Sequence, residues 1–140
     1  MRRSYSTGCS WALSSVSDLV GAARRAREIA RSLGWGTADI AALALAVLEL
    51  SSNAVRHGGG GICRLEAGPE GADVIVEDRG RGFPAWALGG SLDGTRGLRA
   101  VRQLSSHFVL ENIPGGGARA RAALLANRSA RRRPLIPVAV

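Results

Sequence analysis

The sequence predicts an α+β domain, a two-layer sandwich with helices on one face of a mixed, mostly antiparallel sheet. Three observations carry that prediction. Two stretches with helical apolar spacing fill the first part of the chain. Short segments rich in apolar residues, separated by Gly- and Pro-containing turns, follow from residue 62 onward. In the last of these, Arg119 and Arg121 alternate with alanine, as on a sheet with one wet face. At 140 residues and 46% apolar, the chain has enough material for one core without disulfide staples. Residues 1–127 are assigned to this domain. Residues 128–140, with an arginine run at 131–133 followed by Pro134 and Pro137, are assigned to a flexible tail.

Residues 5–13 form a weakly patterned first strand. "SVSDLVGAARRAREIARSLG" reads as a helix, capped by Ser15 or Ser17, with Val20, Ala23, Ile29 and Leu33 on one side and Gly34 at its end. "WGT" makes a turn with Thr37 as the N-cap of a second helix, residues 38–56, stopped by the four glycines at 58–61. Residues 62–66 and 72–77 are strands joined by the hairpin turn "GPEG". Residues 85–97 read as irregular. "LRAVRQLSS" from Leu98 is a short helix, with Leu98, Val101 and Leu104 on one face. Residues 108–111 are a strand, "NIPGGG" is a loop, and residues 118–125 are the last strand.

Composition excludes several classes of function. All nineteen basic residues are arginine, so a P-loop lysine, a lysine phosphate clamp and a Schiff base are ruled out. The net charge of +8 raises nucleic acid as a partner. The arginines are dispersed, however, and none of the six aromatic residues interleaves with the basic tail, which argues against that partner. Cys9 and Cys63 lack metal spacing and fit a reduced, cytoplasmic setting. No apolar run approaches the length needed to cross a bilayer, and the N-terminal stretch has no apolar core, so neither a membrane span nor a signal peptide is expected.

Three polar clusters interrupt the apolar pattern. Glu49 and Asn53 stand one turn apart on the second helix, flanked by Ala42 and Ala46, with His57 a further turn on and rotated by about 80° from Glu49. A buried carboxylate requires a partner. That partner is either an arginine such as Arg56, or a ligand. In the second case the Asn53 amide oxygen suits Mg2+ and Glu49 suits a general base. His57 equally well closes the helix C-terminus. In "EDRGRGFP", Asp78 follows a strand directly, and Gly80 and Gly82 clear space beside it. This is either a plain turn or the rim of a pocket whose carboxylate accepts from an exocyclic amine. In "GTRGLRAVRQL", glycines run into a helix start, as a mobile loop or as a phosphate site.

The order of these clusters resembles the GHKL ATPase superfamily, the Bergerat-fold group. "ELSSN" resembles its N box, "DRGRG" its first glycine box and "GTRGL" its second, and the likeness spans residues 5–125. Within it the chain is most similar to small bacterial serine/threonine kinases that control sigma factors. "LGWGTADIA" and "HGGGG" favour the stressosome switch-kinase branch over the related anti-sigma-factor kinases. The resemblance implies ATP and Mg2+ as cofactors. It implies Glu49 as the catalytic base, Asn53 as the Mg2+ ligand, Asp78 reading the adenine amine, and Gly80 and Gly82 shaping the base pocket. It implies His57 beside them as a further nucleotide-binding residue. It also implies Gly94, Thr95, Arg96, Gly97 and Leu98 at the phosphates. Thr95 stands where the second glycine box usually has glycine, and Ala118 where the last strand commonly has threonine. The implied function is phosphorylation of a serine or threonine on a STAS-domain antagonist in a sigma-factor partner-switching pathway. A sigma factor or a phosphatase regulator is a further implied partner, and a homodimer is compatible. The alternative is a nucleotide-binding module that sequesters a regulator with little or no transfer.

Overall fold

A computed structural model describes residues 5, 7–90, 92 and 95–126. Five strands form one sheet: β1 (Thr7–Leu13), β2 (Gly61–Gly68), β3 (Gly71–Asp78), β4 (His107–Asn112) and β5 (Ala118–Leu125). Their spatial order is β1-β2-β3-β5-β4. Every pairing among these strands is antiparallel, so the parallel component that a mixed sheet would need is absent among the described residues. The connections explain this. Hairpins join β2 to β3 and β4 to β5, and an even number of helices separates β1 from β2, so the chain re-enters the sheet running the opposite way.

Helices α1 (Val16–Ser32), α2 (Thr37–Gly58) and α4 (Arg96–Leu104) pack on the sheet, and α3 (Ala85–Leu88) is a single turn in the segment read as irregular. α1 lies over β1 and β2, α2 spans the central strands, and α4 lies on α2, β4 and β5. The two-layer sandwich expected from the sequence is therefore the observed one. Alternation explains the sheet's two faces. Ala118, Ala120, Ala122 and Leu124 of β5 are buried under the helices, with Cys63, Leu65 and Ala67 of β2. On the opposite face Arg64, Glu77, Arg119 and Glu111 form a row of ion pairs at 3.0, 3.2 and 2.9 Å, and Arg121 pairs with Asp73 at 3.1 Å. The two glutamates hold the Arg119 guanidinium above its ordinary value, Glu111 first and Glu77 second.

α1 starts as its sequence predicts. The Asp18 carboxylate accepts from the backbone N–H of Ser14 at 2.8 Å and of Ser15 at 3.1 Å, and from Ser14 Oγ at 3.0 Å. These bonds hold the Asp18 carboxyl below the usual carboxylate range. Its buried seam is Leu19, Ala22, Ala23, Ala26, Ile29 and Ala30, whereas Val20, expected on that side, is exposed. Four alanines in the seam let the helix approach its neighbours closely. The α1–α2 turn is pinned by Trp35, whose buried Nε1 donates to the Gly68 carbonyl at 2.9 Å.

α2 differs from expectation at its start. Gly36 is the N-cap, and Thr37 is already helical with no capping side chain. The helix ends as expected in glycine, with Gly59 left-handed at φ 73°. Leu43, Val47 and Leu50 are buried. By length and composition alone α2 could cross a bilayer, contrary to the sequence expectation. The averaged apolarity includes several alanines and tolerates Asp39 and Glu49, which interrupt any apolar run. In the fold the helix packs beside α1 on the sheet. α4 begins two residues earlier than expected, and Leu104 at its last position is exposed instead of facing the core. The expected tail at 128–140 lies outside the described residues.

Candidate functional site

The site is built where one side of α2 meets the end of β3 and the start of α4. Glu49, Asn53 and Arg56 are spaced i, i+4, i+7 and lie on one helix side, as the helical period requires. They line a cavity of about 300 Å3 with His57, Thr95, Arg96, Gly97 and Leu98. A second cavity of about 660 Å3, of a size usual for small-molecule sites, shares Asn53, Arg56, His57, Thr95 and Leu98. Its remaining walls are Asp78 and Ala118 from the strands, Arg81 and Gly82 from the loop, and an apolar side of Phe83, Pro84, Trp86 and Ala87. Glu49 and Asp78 thus lie in abutting cavities, with Asn53, Arg56 and His57 between them.

Asp78 is 7% exposed. Its Oδ1 accepts from the Gly80 N–H at 2.8 Å and from the Ala118 N–H at 3.3 Å. Oδ2 makes no hydrogen bond among the described residues. The side chain as a whole is buried, but this second oxygen is open to the cavity, held in a fixed direction and able to accept from a ligand donor. Three glycines make this geometry. A Cβ on Gly58 would lie 2.5 Å from Asp78 Cβ, and one on Gly117, itself at φ 100°, would strike the Asp78 carbonyl. A Cβ on Gly80 would lie 2.6 Å from Gly58 Cα. Gly80 therefore packs the loop onto the end of α2 and does not line the larger cavity, whereas Gly82 does.

Glu49 makes no hydrogen bond or ion pair among the described residues, so the pairing with Arg56 weighed from the sequence is not formed. Its carboxylate abuts the α4 backbone at Gly97, where any side chain would collide with it. Arg96 and Gly97, read as loop, are the first turn of α4. The Arg99 N–H is bonded to the Thr95 carbonyl at 3.0 Å. The N–H groups of Arg96, Gly97 and Leu98 make no backbone hydrogen bond among the described residues, as expected of the first turn of a helix. Thr95 turns its hydroxyl back to the Leu92 carbonyl. Gly94 lies outside the described residues.

Arg56, Arg81 and Arg96 line the two cavities with no described carboxylate partner. The pair of cavities is cationic and suited to an anion. Among the described residues no cluster of three His, Cys, Asp or Glu exists, so the protein alone builds no metal cage. A Mg2+ site with few protein oxygens, completed by phosphates, agrees with that donor set. Sequence reasoning missed Arg56 as a lining residue, although its spacing from Glu49 and Asn53 announces it. Arg81, Phe83, Pro84 and Trp86 gave no periodic signal, since a loop and a single helical turn carry them.

Residues 13–122 match the histidine kinase-like ATPase domain. The chain is 32% identical over 112 residues to the serine/threonine-protein kinase RsbT of Bacillus subtilis (strain 168), covering 71% of this chain and 83% of RsbT. In structure it is similar to the RsbU and RsbW domains of Rv1364c from Mycobacterium tuberculosis, with TM-score 0.66 and 22% identity. That match covers 87% of this chain and 33% of the other. It is also similar to a chain of the SiaB–SiaC complex from Pseudomonas aeruginosa, with TM-score 0.62, 13% identity and 83% and 89% of the two chains covered. The fold is thus one seen in solved structures, and the chain belongs to the histidine kinase-like ATPase family.

Proposed function

We propose that the protein is an ATP-dependent serine/threonine-protein kinase whose substrate is a STAS-domain antagonist in a sigma-factor partner-switching pathway. The observation that carries the reading is the division of labour between the two cavities. The larger offers an open, oriented acceptor, Asp78 Oδ2, together with an apolar wall, which suits the amine and flat ring of adenine. The smaller offers an unpaired carboxylate, Glu49, beside an amide, two arginines and a helix start, which suits phosphates and an incoming hydroxyl. Likeness to a serine/threonine kinase at 32% identity supports the same reading.

In this reading Asn53 would hold Mg2+, and that ion would supply charge neutralisation at the phosphates. Arg56, Arg96 and the N–H groups of Arg96, Gly97 and Leu98 stabilise the charge that develops on the transferred group. Glu49 takes the proton of the acceptor hydroxyl as that oxygen attacks phosphorus and the bond to the leaving diphosphate oxygen breaks. Asp78 orients the base, and Gly82 shapes the pocket beside it by letting the loop close onto Asn112. His57, exposed and lining both cavities, offers ring nitrogens for hydrogen bonding at their junction. Thr95 caps α4 through its own backbone and holds the adjoining segment by its hydroxyl. Residues 1–127 act as the kinase unit.

The test is incubation with γ-labelled ATP, Mg2+ and a panel of STAS-domain proteins. Label on a serine or threonine of one of them is the expected result. A stable complex without label turns the reading to a sequestering module. Absence of ATP binding by calorimetry overturns both.

A further inference from the structure

The β4–β5 hairpin opens toward the site at one pair of residues, Asn112 and Ala118, which face each other in register. Each holds one end of the loop at 78–83. At the near end the Ala118 N–H donates to Asp78 Oδ1. At the far end the Phe83 N–H donates to Asn112 Oδ1 at 2.6 Å, and Asn112 Nδ2 donates to the Phe83 carbonyl at 3.2 Å. A side-chain amide that satisfies both peptide groups of one residue fixes it much as a neighbouring strand would. Gly82 makes the approach possible. At φ 85° it holds a conformation that favours glycine, and a Cβ there would lie 2.5 Å from Asn112 Oδ1. The amide fills the space that a side chain at 82 would need. Directly after this clamp come Phe83 and Pro84, then Trp86 and Ala87 of α3, which are the apolar wall of the larger cavity. Asn112 itself lines neither cavity.

We propose that Asn112 is a positioning residue for the nucleotide base: it sets the spacing between the apolar wall and the Asp78 carboxylate by holding Phe83 at the root of that wall. The inference rests on the nucleotide-site reading above. Its consequence is selective, because the clamp touches the base end of the site and leaves Glu49 and the α4 start untouched.

The experiment compares wild type with Asn112→Ala and Asn112→Asp. The carboxylate introduced by Asn112→Asp would keep the acceptor for the Phe83 N–H but turn a second acceptor toward the Phe83 carbonyl. Asn112 is exposed, so both variants should fold, and melting temperature checks this. Expected is an about tenfold loss of affinity for both Mg–ATP and Mg–ADP by calorimetry, the scale of one or two lost hydrogen bonds. KM for ATP rises by the same factor, while transfer at saturating ATP stays within about twofold. Amide exchange at Phe83 without nucleotide should speed up in Asn112→Ala, which loses the acceptor, and much less in Asn112→Asp, which keeps it. Gly82→Ala, which pushes the amide from the other side, should reproduce the affinity loss. Variants that bind ATP as tightly as wild type, or that lose kcat with KM unchanged, overturn the role of Asn112. A wild-type chain that binds neither nucleotide overturns the site reading instead, a distinguishable result.

Discussion

One oxygen of Asp78 is tied to two backbone N–H groups and the other is free, and that division decides what a substitution there does. Asp78→Asn can keep its carbonyl oxygen on Gly80 and Ala118 and so keep the fold. It then presents an NH2 where a ligand amine must donate. Nucleotide affinity should fall by about 1.5–3 kcal/mol, the worth of a hydrogen bond to a charged group, and calorimetry reads it. Unchanged affinity would remove Asp78 from the base pocket. Glu49 makes no bond among the described residues, so Glu49→Ala should leave melting temperature and ATP affinity near wild type. Label transfer should drop about 10²- to 10⁴-fold, the range of a general base. Persisting transfer would assign the proton to another group. These residues are legible from sequence because each stands at a point that local rules define: one turn apart on a buried helix, or directly after an apolar strand. Asn112 is not legible. It sits in "ENIPGGG", and its role exists only because the last hairpin returns to a loop residue 29 positions earlier in the chain.

At the scale of elements, α4 shows how a helix start can serve a neighbour. Glycine at an ordinary helical position costs about 1 kcal/mol against alanine, so Gly97→Ala should raise the melting temperature on propensity alone. Here the added methyl would meet the end of the Glu49 side chain, which can rotate aside at small cost. The expected outcome is therefore split: a melting temperature equal to or above wild type, with phosphoryl transfer strongly reduced. A variant that is both stable and fully active would show that Glu49 need not lie against α4. Apolar spacing begins at Leu98, and so the sequence places the helix start there. The true start at Arg96 is decided by packing on α2, which periodicity cannot report. The same holds for α3, a single turn too short for any periodic signal. Strands are easier to read: alternation of Arg and Ala marks both faces of β5 and gives its observed bounds.

For the molecule as a whole, charge and burial are distributed unevenly. On the open sheet face arginines are matched by carboxylates, while around the cavities they are not, so the excess charge favours approach of anions to the site. In the core, burial pushes the Cys63 thiol up from 9.0 to about 11, with Ser51 nearby opposing the shift. The folded chain then keeps a proton that the unfolded chain releases, so this contribution is fully present below pH 9.0 and is lost as pH rises through about 11. Melting temperature should fall between those values, and Cys63→Ala should flatten the fall; an equal slope in that variant would assign it elsewhere. Sheet order carries one more consequence. β5, the last described strand along the chain, lies between β3 and β4, and its first N–H orients Asp78. During synthesis on a ribosome Asp78 emerges well before that donor does. If Asp78 orients the base as proposed, a nascent chain has no competent base pocket until the closing strand is inserted, and nucleotide can reward completed folding but cannot template its early stages.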